Sequence, residues 1–143
     1  MRSYLIVANQ TFASPTLTAA VLERAREGDG GFHVVVPATP VHHGLTWDED
    51  EARAAAEARL EEVIARLRGL GIEATGEVGC KDPVAAVHDA LRNRHVDEVI
   101  LSTLPAGISR WLGQDVPSRL RGSLHVPVTV VIAPREPARV AAE

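Results

Sequence analysis

The stretch LSTLPAGISRWLGQDVPSRL, residues 101–120, sets hydroxyls, glycines, prolines and a fixed cation between two apolar runs. Glycine lets backbone amides turn toward a bound anion, and the Arg110 guanidinium offers a fork that suits phosphate or carboxylate. If this loop holds a ligand, Arg110 faces a cleft shared with Asn9, Thr11 and Ser102. The competing reading is a corner in the chain. Pro105 and Pro117 stiffen the loop without adding a donor. The Arg110 stem then packs beside Trp111, which plugs the loop from below instead of stacking on a base.

Other reactive side chains suggest less. Ser102 and Ser109 lie outside any G-x-S-x-G elbow and have no evident histidine partner. His42 and His43 are adjacent in a loop, and no carboxylate or cysteine spacing adds a third ligand, so no metal is expected. Cys80 precedes a helix start, a location that favours thiolate, but it reads as a bystander. No acid–base pair has a spacing suited to catalysis, and the chain reads as non-enzymatic.

Composition sets the outer bounds. The 143 residues suit one domain with a real core, and 45% hydrophobic against 24% charged residues is ordinary for a globular protein. A net charge of −4 argues against a broad nucleic-acid surface. Acids crowd residues 48–62, whereas Arg110, Arg119 and Arg121 gather near the 101–120 stretch. The longest apolar runs are too short to span a bilayer, and the opening MRSYLIVANQ lacks the apolar core of a signal peptide, so a cytoplasmic protein is expected. One cysteine excludes an internal disulfide.

The elements that must position these groups alternate. YLIVA (4–8), FHVVV (32–36), IEATGEV (72–78), the run 99–101 and VTVVI (128–132) read as strands, the third being the most exposed. Ser14-Pro15 and Asp82-Pro83 are cap-plus-proline helix starts, and Thr46–Glu49 is a capping box. The first helix turns Leu17, Ala20, Val21 and Ala25 to one side and stops at Gly28. The second carries Ala56, Leu60, Val63, Ile64 and Leu67 as a stripe and stops at Gly69 and Gly71. The third is lined by Val84, Val87, His88 and Leu91, and a fourth spans about 117–124. Five strands separated by helices predict an α/β, doubly wound five-stranded parallel sheet with helices on both faces. Ligands of such sheets bind beyond the carboxyl ends of the strands at the switch point, here between the first and fourth strands. Residues 1–133 form the domain, and 134–143 are expected to be a disordered tail.

From YLIVANQ to VPVTVVI, and above all in SRWLG followed by HVPVTVVI, the chain resembles the universal stress protein family. The resemblance implies a Rossmann-like cytoplasmic homodimer acting in stress response. Members that bind ATP carry glycine, two residues, glycine, nine residues, then glycine and Ser or Thr. Here Ser102 and Pro105 stand at the first two glycine positions. Gly113 fits the third, only seven residues after Pro105, and Gln114 replaces the hydroxyl residue. Asn9 stands where the family has an acid near the base and ribose, and Val36 fits the apolar position ending strand two. The candidate ligand set is therefore Asn9, Gln10, Thr11, Val36, Ser102, Thr103, Gly107, Arg110, Gly113 and Gln114, with ATP or AMP as the nucleotides to consider. The leading expectation is a non-catalytic binding or regulatory protein with weak or no ATP binding, pairing through the Val126–Ile132 edge. A stress protein that holds an adenine nucleotide through a modified 102–114 loop is the alternative. A nucleotide-hydrolysing enzyme of the same superfamily ranks below both.

Overall fold

A computed structural model of the chain describes residues 2–8, 15–28, 30–38, 49–103 and 115–132. In chain order these form β1 (Arg2–Ala8), α1 (Pro15–Arg26), β2 (Gly30–Pro37), α2 (Glu49–Gly69), β3 (Ala74–Gly79), α3 (Pro83–Leu91), β4 (Glu98–Thr103), α4 (Val116–Ser123) and β5 (Val128–Ile132). The strands pair in parallel in the order β3-β2-β1-β4-β5. The switch point falls between β1 and β4, as predicted.

Period-2 alternation divides the core into two layers. Tyr4, Ile6, Ala8, Phe32, Val34, Val36 and Ile100 pack against Leu17 and Val21 of α1 and Ala56, Val63 and Leu67 of α2. On the other side Leu5, Val7, Val35, Val99 and Leu101 meet Ala86, Val87 and Ala90 of α3 and Val116 and Leu120 of α4. The central strands are apolar on both faces because both faces are covered. The edge strand β3 alternates buried and exposed residues, as its sequence suggests.

One strand start and one helix face differ from expectation for physical reasons. IEATGEV was expected to start a strand at Ile72, but β3 begins at Ala74. Ile72 instead closes α2: its N–H donates to Leu67 O at 2.9 Å, and Gly71 N–H donates to Arg68 O at 3.0 Å. Gly71 sits at φ 82°, so these bonds form a Schellman stop. The inward face of α3 is also rotated. Pro83, Ala86, Val87 and Ala90 are buried, so the expected Val87 is at the centre, while Val84 and Leu91 pack against the same core only partly buried. A Cβ on Gly79 would come within 2.6 Å of the Ala86 Cβ, so the small pair lets α3 lie close to β3. His88 is turned outward, where its Nε2 meets Ser123 Oγ at 2.9 Å. The Asp82 cap is in place, its Oδ1 accepting from Val84 N–H at 3.1 Å.

Arg24, Glu98 and Thr129 tie three elements together. Arg24 reaches both Glu98 oxygens, at 3.1 and 2.7 Å, and the Thr129 hydroxyl donates to the same carboxylate. Burial works against ionising Glu98, but the hydrogen bonds from Arg24 and Thr129 outweigh it and hold the carboxyl below its ordinary value.

Candidate functional site

The carboxyl ends of β1, β2 and β4 lie side by side, which brings Ala8, Val36, Ser102 and Thr103 to the switch point. Ala8 pairs with Ser102 in register. Alternation puts Ala8, Val36 and Ser102 on the α1/α2 face and turns Thr103 to the α3/α4 face. Ser102 and Thr103 are both fully buried, and neither is without a partner. Val36 is a core residue, 3% exposed. The other sequence-derived candidates, Asn9, Gln10, Thr11, Gly107, Arg110, Gly113 and Gln114, lie outside the described residues, as do Trp111 and the His42-His43 pair.

Just after the loop, Asp115 has φ 59° and ψ 39°, a left-handed conformation that Asp tolerates better than most residues. It leads directly into α4, whose Val116, Pro117 and Leu120 are buried. Of the arginines expected to gather around the loop, Arg119 and Arg121 are among the described residues. Arg121 donates to Val128 O at 3.1 Å, at the amino end of β5, and Arg119 lies 4.0 Å from Asp82. Arg121 is thus drawn to the amino end of the sheet, whereas Arg119 stands beside the cap of the helix that follows β3. Cys80 is exposed, its Sγ 3.5 Å from Asp82 O. Among the described residues, no group of three or more His, Cys, Asp or Glu is arranged to hold a metal. Nor is any described helix long and apolar enough to cross a membrane.

At the opposite end of the sheet lies a feature that the sequence reading did not single out. A groove of about 750 Å³ opens at the amino ends of β1, β2 and β3, with Gly31, His33, Thr75 and Arg94 among its walls. Gly31 and His33 are two residues apart in β2 and share a face. A Cβ on Gly31 would meet nothing within 4 Å, so open space lies beside His33. The His33 side chain is 7% exposed. Its Nδ1 lies 2.7 Å from Thr75 Oγ1, across the β2–β3 register. Its Nε2 is buried with no hydrogen-bond partner among the described residues, the Glu77 Oε2 standing off at 3.7 Å. Burial, with the Arg94 guanidinium nearby, pushes the imidazole below its ordinary value, and Glu77 offsets this only in part. The signal available in the sequence was a polar residue inside FHVVV, directly after a Gly30-Gly31 pair.

No family model matches the chain, and no curated protein matches it by sequence. Its fold does have a solved counterpart. A crystal structure of a protein from the universal stress protein family of Burkholderia pseudomallei superposes with a TM-score of 0.61 at 17% identity, over 89% of this chain and 94% of that one. The five-stranded parallel α/β sheet is thus of the universal-stress-protein, Rossmann-like kind.

Proposed function

We propose that this chain is a cytoplasmic, non-catalytic binding protein of the universal-stress-protein type that takes ATP weakly or not at all and acts as a homodimer through a protein partner. The observation that carries this reading is the burial of Ser102 and Thr103 at the switch point. A phosphate needs amides or hydroxyls turned toward it, and both residues are fully buried and already partnered. Ser102 and Pro105 stand where the resemblance places two glycines, and proline has no amide to give. Losing two charge-assisted amide contacts, at about 1.5–3 kcal/mol each, weakens binding by about two to four decades. The described residues that end β1, β2 and β4, namely Ala8, Pro37 and Thr103, supply no acid or base for hydrolysis. Titration calorimetry with ATP and AMP tests the reading, and ATP retained through purification without added nucleotide refutes it.

A second reading keeps an adenine nucleotide at the 102–114 loop with altered contacts. The position of the switch point favours it, because the loop leaves β4 where doubly wound sheets hold their ligands. Arg110→Ala separates the two. It weakens nucleotide binding about tenfold or more if the loop is a site, and changes nothing measurable if the loop is a corner.

A further inference from the structure

We propose that His33 and Glu77 form a proton-operated switch on the edge strand β3. The neutral ring turns an Nε2 lone pair to the Glu77 carboxylate and holds it off, and a proton on Nε2 draws that carboxylate into an ion pair. β3 ends the sheet, and His33 of β2 reaches across to it: Nδ1 lies 2.7 Å from Thr75 Oγ1. Nε2, buried and without a hydrogen bond among the described residues, stands 3.7 Å from Glu77 Oε2. The Glu77 side chain is 45% exposed, so packing does not hold it back. A protonated Nε2 would bond so near a carboxylate, whereas 3.7 Å suits two acceptors facing each other. The neutral ring therefore carries its proton on Nδ1, gives it to Thr75, and leaves Nε2 as the base. No other described group is placed to take that role. On this side of the sheet β1 offers Leu5 in register with His33, and α3 offers Ala86, Val87 and Ala90. His88 and Asp89 of α3 meet Ser123 and Arg92, and His95 stands 3.5 Å from Asp97. Glu73 lines the groove beside the ring, and Arg94 adds a positive charge near it. Burial and the Arg94 charge disfavour the protonated ring while Glu77 favours it, so the switch operates below the ordinary 6.5. In the acid state Glu77 is turned inward, and β3 loses an exposed charge of the kind that guards sheet edges from pairing.

NMR of the full chain from pH 8 downward tests this, with the His33 ring nitrogens and the Glu77 carboxyl carbon followed together and the ring signals assigned from His33→Gln. Above the His33 midpoint, Nε2 should read as the unprotonated nitrogen. The Glu77 carbon should show a step at that midpoint in addition to its own titration. Glu77→Gln should lower the midpoint by about half a pH unit or more, and Glu73→Gln should lower it by less. The proposal is overturned by a neutral ring protonated at Nε2, by a Glu77 signal without that step, or by a ring that stays neutral until the protein unfolds. A midpoint unmoved by Glu77→Gln, or lowered as much by Glu73→Gln, overturns it equally.

Discussion

His33 is buried and Glu98 partly buried, and both titrate below their ordinary values, the first because its charged form is disfavoured and the second because its charged form is held. The His33 imidazole sits below its ordinary 6.5, so the unfolded chain takes up a proton that the folded chain resists. Its contribution to stability is present above pH 6.5 and is lost as pH falls toward the depressed native value. Urea unfolding between about pH 5 and pH 8 should show this slope, and His33→Gln should flatten it. An unchanged slope in that variant would refute the account. Glu98 behaves as a held carboxylate: its stabilisation is present above its ordinary 4.5 and disappears as pH falls through the lower native value. The Glu98 side chain is 12% exposed beside Arg24, and Arg24→Ala, which takes its cation away, should cost about 3 kcal/mol, the low end for a broken buried pair. The double change Arg24→Met with Glu98→Leu should recover much of the loss in chemical denaturation.

Close approach between elements is decided at glycines. A Cβ on Gly76 would lie 2.5 Å from Leu60 Cδ1, 2.9 Å from Ile64 Cδ1 and 2.9 Å from Val34 O. The two leucine-type methyls can yield, but the strand backbone cannot, so α2 would have to lift from β3. Gly76→Ala should therefore destabilise by about 1–3 kcal/mol. Gly31→Ala, facing open space, should change stability by about 0.5 kcal/mol or less. Equal effects of the two in thermal melts would count against this packing. At the entry to α4, the positive φ of Asp115 gives a second element-level test. Asp115→Val should lose about 1–2 kcal/mol, and Asp115→Gly should be close to neutral.

For the whole molecule, the open question is what covers the β5 edge. β5 is the last strand of the sheet, and Ile132 at its end is 46% exposed. An apolar edge strand invites pairing, and a second copy of this chain is the occupant proposed here. Light scattering at micromolar concentration should report a dimer, and Ile132→Asp should shift it toward monomer. A wild-type monomer under those conditions would end this part of the reading.

The sequence by itself determined the strands, the Asp82-Pro83 helix start and the parallel sheet with its switch point, while the Ser14 cap and the Thr46–Glu49 capping box fall wholly or mostly outside the described residues. Those features rest on local rules: continuous apolar runs for doubly covered strands, Asp82-Pro83 as a cap, and right-handed crossovers that place the switch point between β1 and β4. The candidate site was legible only as a position. Ser102, Thr103 and Val36 do arrive at the carboxyl ends, but no periodicity could reveal that both hydroxyl residues would be sealed and partnered. Contacts across the fold decided the rest. Ile72 looks like a strand residue until Gly71 turns it back onto Leu67, and α3 rotates because Ala86 fits against Gly79. His33 reads as one polar interruption in FHVVV. It becomes a buried, half-satisfied base only when β3 brings Thr75 and Glu77 beside it and the chain before β4 brings Arg94, residues more than forty positions away whose proximity the sheet alone creates.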